Sequence, residues 1–287
     1  MNRPLVLGAS GFVGSEVARD LGATGTSHAP REGFTPLDAT EPGFLRSVLR
    51  EAGAEVVVNC VGLADVDRAE REPALADALN RGVVQHLVTA QEELGFRLVH
   101  ISTDYVFDGR TGGYREGDPV GPVNEYGRSK LNGETLLAGR KRTLVLRISS
   151  PFGPGAGARK TQFFRYVSDA LRAGQPVQAL TDQRVTATYL PDLGRAIERL
   201  LKESVEGLVH IASQDPRTRF EFAREVARTI DADPALVRPA VRSQMVQWVA
   251  VRPADTSLDV GRSLDAGVRY TPIGEALSTL LGGSAPA

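Results

Sequence analysis

The junction Leu5-Val6-Leu7 followed by Gly8-Ala9-Ser10-Gly11-Phe12-Val13-Gly14 constrains the fold more than any other part of the chain. A short apolar strand runs into closely spaced glycines and then into a helical pattern from Gly14 to Leu21. Glycine lets a backbone turn tightly and approach a pyrophosphate, whose charge then rests on the open amides and positive end of the helix. A bare glycine triplet is common by chance, and the strand before and helix after it are what make this one informative.

Short apolar runs and helical patterns then alternate, the signature of a parallel sheet with crossover helices. The expected strands are Ala23–Ser27 (weak), Glu55–Cys60, Leu98–Ser102 and Thr143–Ser149. A helix is expected at Phe44–Ala52. A longer one opens at Pro73, with Leu75, Leu79, Val83 and Leu87 recurring every fourth residue. The rhythm changes at Pro151, where Pro151 to Gly157 reads as a loop. Helices near Gln162–Ala173, Pro191–Lys202 and Phe220–Ile230, and a strand at Val177–Leu180, follow. The fold class is α/β, a Rossmann-type doubly wound parallel sheet in residues 1–150, joined by a returning segment near 185–212. A smaller mixed α/β C-terminal domain fills most of 151–287.

Composition narrows the function. The formal net charge is -1, so no global basic field draws in nucleic acid or an anionic membrane. Arg140-Lys141-Arg142 is the densest basic run and reads as a solvated loop. The single cysteine, Cys60, forms no internal disulfide, and His28, His86, His100 and His210 are scattered, so no metal site is expected. No apolar stretch is long enough to span a bilayer, and Pro4–Leu7 is too short for a secretory leader. A cytoplasmic location is expected.

Two groups of residues carry the chemistry. At the adenosine end, an acidic residue would bind the 2′-hydroxyl of NAD and a cation the extra phosphate of NADP. Arg31 and His28 tilt the choice towards NADP(H) over NAD(H), although Glu32 adjoins them, and Asp38 is a second candidate for that end. Further on, Tyr126 and Lys130 stand at i and i+4 on one helix face, and Thr103 follows the strand ending at Ser102. Parallel sheets place ligands at the carboxyl ends of their strands. Hydride transfer to a carbonyl needs a proton donor, and a lysine ammonium would pull a tyrosine phenol from about 10 towards working pH. The Thr103 hydroxyl could hold the carbonyl oxygen.

With these residues in view, Ser102-Thr103-Asp104-Tyr105-Val106-Phe107-Asp108-Gly109 and Tyr126-Gly127-Arg128-Ser129-Lys130-Leu131-Asn132-Gly133-Glu134 resemble the dTDP-4-dehydrorhamnose reductase family. That family is a branch of the extended short-chain dehydrogenases. Asn59-Cys60-Val61-Gly62, Asp182-Gln183-Arg184, Pro191-Asp192-Leu193 and Arg252-Pro253 are similar to further family segments.

The resemblance implies an NAD(P)H-dependent reductase of a nucleotide-linked 4-keto-6-deoxysugar. Thr103, Tyr126 and Lys130 would be its triad, with Tyr126 the proton donor, and Asn80 would support the pair through water. Gly8, Gly11, Phe12, Val13 and Gly14 would hold the pyrophosphate, and Cys60, Val61 and Gly62 would line the cofactor channel. Asp104, Tyr105 and Arg184 are substrate-side candidates in this picture.

Two departures bear on the sugar. Cys60-Val61-Gly62 replaces the family's alanines, and Arg184 to Thr188 lacks its usual glycine and proline. Two other readings stand open. One is a dinucleotide-binding regulatory subunit similar to the methionine adenosyltransferase beta subunit, and the other is a sugar-nucleotide epimerase. Dehydration is disfavoured, because Tyr105 follows Asp104 where a second carboxylate would be needed. A homodimer is left open.

Overall fold

The computed structural model of the chain describes residues 4–155 and 162–282, so the end of the expected Pro151–Gly157 loop lies outside the described residues. Strand β1 (Leu5–Leu7) leads through the glycine loop into α1 (Phe12–Asp20), β2 (Thr24–Ser27) and β3 (Thr35–Pro36). After α2 (Pro42–Ala52) come β4 (Val56–Asn59), α3 (Val66–Arg71) and a long helical stretch. That stretch is α4 (Pro73–Asp77), a π turn over Ala78–Gly82, and α5 (Val83–Leu94). Then β5 (Arg97–Thr103), α6 (Glu125–Leu137) and β6 (Thr143–Ile148) complete the first half.

In the second half α7 (Phe163–Arg172), β7 (Val177–Leu180) and β8 (Arg184–Val185) precede α8 (Leu190–Lys202) and β9 (Gly207–Ile211). The chain ends with β10 (Arg217–Thr218), α9 (Arg219–Thr229), β11 (Val237–Ala240), α10 (Gly261–Asp265) and α11 (Ile273–Leu281).

Seven strands form one sheet in the order β3-β2-β1-β4-β5-β6-β9, and every pairing in it is parallel. The winding reverses between β1 and β4, which opens a crevice at their carboxyl ends. Side chains alternate across a strand, and here that parity splits the core in two. Leu5, Leu7, Val57, Leu98 and Val145 pack against α2 and α5. Val6, Val58, Val99, Leu144 and Leu146 pack against α1 and α8. Both faces are covered, as an all-parallel sheet requires. The last strand and its helix come from beyond residue 189, and Val268 joins the same core. A third cluster of Phe152, Phe164, Val167, Phe222, Val226, Ile273 and Leu277 holds α7, α9 and α11 together over the small β7–β11 pair.

Local sequence explains two details that set the site. Gly14 lies so close to the Gly8 carbonyl that any Cβ there would collide with it, which brings α1 tightly onto the loop. Its N-cap, Gly11, provides no side-chain cap, and the first turn carries no acidic residue, so the helix end stays electropositive. The helix expected from Pro73 is interrupted. A strict four-residue apolar repeat drifts around an α-helix of 3.6 residues per turn, and the wider π turn takes up that drift. Val83 and Leu87 therefore reach the main core, while Leu75 and Leu79 pack beside Tyr126.

Helix α6 is anchored by ions rather than by a broad apolar stripe. Glu134 receives two bonds from Arg147 on β6, at 2.7 and 3.1 Å, and a short one from the Ser102 hydroxyl. Both charged side chains are almost fully buried. Glu134→Ala would leave Arg147 without its counter-ion, and such losses cost about 3–5 kcal/mol. Urea unfolding should show a loss of that size, with Glu134→Gln milder; a loss below about 1 kcal/mol would mean that Arg147 finds another partner.

Candidate active site

Strand β5 ends at Thr103, and the chain turns at once through Asp104–Val106, so the Thr103 hydroxyl emerges at the carboxyl edge of the sheet. Across from it, Asn124 caps α6 by accepting the Gly127 N–H at 2.9 Å. That cap fixes the helix so that Tyr126, Lys130 and Glu134, spaced by four, share one face, with Lys130 and Glu134 buried and Tyr126 half-buried. Thr103, Tyr126 and Lys130 meet in a single cleft of about 320 Å³. Val13 from the glycine loop, Cys60, Val61, Gly62, Asn80, Asp104 and Tyr105 line the same cleft. The rings of Tyr105 and Tyr126 meet edge to face, with centroids 5.8 Å apart.

The electrostatics are dominated by dehydration. Burial raises the Tyr126 phenol above its ordinary value, only partly offset by a hydrogen bond with the Thr103 hydroxyl. This corrects the expectation from the helix spacing, which had Lys130 pulling the phenol down. Burial disfavours the phenolate, and the neighbouring Asp104 and Tyr105 add to the rise. The same burial lowers the Lys130 ammonium to about 8, and its Nζ donates to the Ile101 carbonyl at 2.7 Å. Asp104 is buried, raised by burial, and bound by the hydroxyls of Thr103, Ser149 and Thr256. Its Oδ1 takes the Thr103 proton at 3.2 Å, which leaves the lone pairs of that hydroxyl for Tyr126 and for the Tyr105 N–H.

Asn80 sits within the π turn. Its amide pairs with both backbone groups of Leu63, accepting at 2.9 Å and donating at 3.3 Å, and it donates to Ser129 at 2.8 Å. Its Oδ1 would lie only 2.7 Å from a Cβ at position 62, so Gly62 permits this packing and an alanine there would press on it. At the far end of the glycine loop, the Asp38 carboxyl is held low by Thr40, with His28 adding a smaller pull. Arg31 is exposed on the turn after β2. The open amides of α1 and this polar edge suit a dinucleotide, whose pyrophosphate would lie against Gly8 to Gly14.

Arg184 is not brought to the cleft. It bonds the Pro216 carbonyl and pairs with Glu221 on another surface. Among the described residues, Arg219 is the arginine that lines the cleft, and no motif of the sequence analysis includes it. Arg219 opens α9, binds the Ser150 hydroxyl at 3.0 Å and lies over the Phe163 ring. It also lines a neighbouring pocket of about 160 Å³ walled by Phe152, Phe163, Phe164 and Phe222. A signal was present in Thr218 and Glu221, whose reciprocal capping box starts α9 and aims its first residue inward. Gln183 lies 3.4 Å from the Tyr105 hydroxyl, and the sequence marks it only as the middle of Asp182-Gln183-Arg184.

Residues 2–282 match the family model described as RmlD substrate binding domain. The chain is 37% identical over 257 residues to the dTDP-4-dehydrorhamnose reductase of Mycobacterium tuberculosis, covering 84% of this chain and 80% of the relative. It is 34% identical over 267 residues to a probable low-salt glycan biosynthesis reductase of Haloferax volcanii, covering 89% of both. A crystal structure of dTDP-4-dehydrorhamnose reductase from Bacillus anthracis, in complex with NADP, superposes with a TM-score of 0.84 at 25% identity over 98% of this chain and 99% of that one.

Cys60 lies against Lys130 yet is no nucleophile, because burial pushes its thiol up to about 12. At pH 8 it is a thiol, and the thiolate is the reactive form. Ellman's reagent should release no thiol from the native protein and one per chain in guanidinium. A rapid native reaction would contradict this burial.

Proposed function

Because the chain belongs to the dTDP-4-dehydrorhamnose reductase family, we propose that it reduces the 4-keto group of a nucleotide-linked 6-deoxysugar with NADPH. The observation that carries this reading is the convergence of Thr103, Tyr126 and Lys130 with the glycine loop on one cleft at the switch point of the sheet. A nicotinamide dinucleotide supplies a hydride when bound. Gly8, Gly11, Phe12, Val13 and Gly14 hold its pyrophosphate, Cys60, Val61, Gly62 and Asn80 flank its path, and Lys130 holds its ribose hydroxyls.

Reduction requires a neutral acid beside the carbonyl oxygen. The upward shift of Tyr126 keeps its proton in place at neutral pH, which suits a donor. Tyr126 passes that proton to the developing alkoxide while Thr103 positions the oxygen. Asp104 orients the Thr103 hydroxyl and Tyr105 packs beside the sugar. Arg219, standing between the cleft and the aromatic pocket, pairs with the diphosphate of the substrate in place of Arg184. Arg31 favours NADPH by meeting its extra phosphate, while Asp38 serves the adenosine ribose. The names of the reductase relatives favour turnover over a regulatory subunit.

Absorbance at the reduced-nicotinamide band, with dTDP-4-keto-6-deoxyglucose or its epimer as substrate, tests this directly. Wild type should oxidise NADPH faster than NADH, and Tyr126→Phe should lose about a hundredfold to ten-thousandfold in kcat. Turnover equal in Tyr126→Phe would remove it as donor, and no oxidation with NADPH bound would remove the reductase reading.

Arg219→Ala should raise the KM for the nucleotide sugar by about tenfold to a hundredfold, the range for a lost charge-assisted bond, and leave NADPH binding unchanged. An unchanged KM would place the diphosphate elsewhere.

A further inference from the structure

Behind Lys130 lies a buried polar residue that the proposed reaction does not use. His100 on β5 is fully buried, with Nδ1 3.0 Å from Asn59 Nδ2 on β4 and Nε2 3.4 Å from Lys130 Nζ. Asn59 is oriented one step further out, because its Oδ1 accepts the Val61 N–H at 3.1 Å. With the oxygen committed, the Asn59 NH2 must face the imidazole, so Nδ1 of His100 is an acceptor. Burial holds His100 well below its ordinary range, so the ring is neutral and has a single N–H. That hydrogen therefore lies on Nε2, aimed at Lys130.

Two donors then oppose each other if Lys130 is an ammonium. As an amine, Lys130 accepts from Nε2–H and still donates to the Ile101 carbonyl. We propose that His100, locked as its Nε2–H tautomer by the Val61–Asn59 relay, is a positioning residue that biases Lys130 towards its uncharged form.

The other groups near Lys130 do not supply a close counter-ion. Cys60 just after β4 stays a thiol, Tyr126 one turn earlier stays a phenol, and Glu134 one turn later draws towards the ammonium while bonded to Arg147 and Ser102. A lysine poised between two protonation states beside Tyr126 can exchange a proton in the working range. This consequence rests on Lys130 being part of the reductase centre, whereas the tautomer does not.

The sequence has only four lysines and four histidines, so full-length protein labelled with 15N-histidine and 13C-lysine gives few resonances to resolve. Long-range proton–nitrogen correlation of His100 should show the Nε2–H tautomer. An Nδ1–H or doubly protonated ring overturns the proposal, with no variant needed. The Lys130 signal, identified by its loss in Lys130→Met, should titrate near 8. In Asn59→Asp, a near-isosteric change, the carboxylate takes an Nδ1 proton and turns a lone pair towards Lys130. The lysine midpoint should rise by about one pH unit or more. Adding His100→Phe should cancel most of that rise; a rise that persists is charge alone and overturns the relay. Inactivity in the reductase assay beside an intact Nε2–H tautomer would sink the functional reading and leave this one standing.

Discussion

Dehydration of one helical stripe is the constraint on which the rest of the structure depends. Lys130 and Glu134 reach from α6 towards a sheet covered on both faces, Tyr126 stands half-buried at the cleft, and polar groups in such places must find partners or change protonation. Each answers differently. Glu134 finds its partners in Arg147 and Ser102. Lys130 binds the Ile101 carbonyl and holds its proton less firmly. Tyr126 keeps its proton. The stripe thus grades from a structural ion pair, through a group poised between states, to a neutral acid at the cleft. One helix serves as both anchor and reagent holder.

Much of this was legible in the sequence because it depends on short-range rules. Three consecutive apolar residues before a glycine loop fix a buried strand and the crevice beside it, and a spacing of four fixes a shared helix face. Thr103, Tyr126, Lys130 and the glycine loop meet for these reasons. The expected strands err only at their ends, as with Thr103, which closes β5 instead of following it, while β8 to β11 are not anticipated.

What escaped the sequence depends on long-range packing. Lys130 was expected to lower Tyr126 because spacing shows the neighbour and hides the loss of water. Arg184 and Arg219 are both arginines near the start of small elements, and only the antiparallel pairing of β8 with β10 decides which one turns away. The π turn was written in the four-residue repeat of Leu75, Leu79, Val83 and Leu87, but was read as an ordinary helix. The Asn59–His100 contact joins residues 41 apart through adjacent strands, a register that no local pattern states.

The late arrival of β9 has a consequence for how the chain comes into being. During synthesis the first six strands emerge well before Leu190–Ile211, so β6 waits with an unpaired edge and the Val6, Val58, Val99 and Leu146 face waits without α8. Unpaired edges and uncovered apolar faces invite wrong partners. Until β9 emerges the partial sheet is an open template, and completing it requires closing a loop of some 60 residues between β6 and β9.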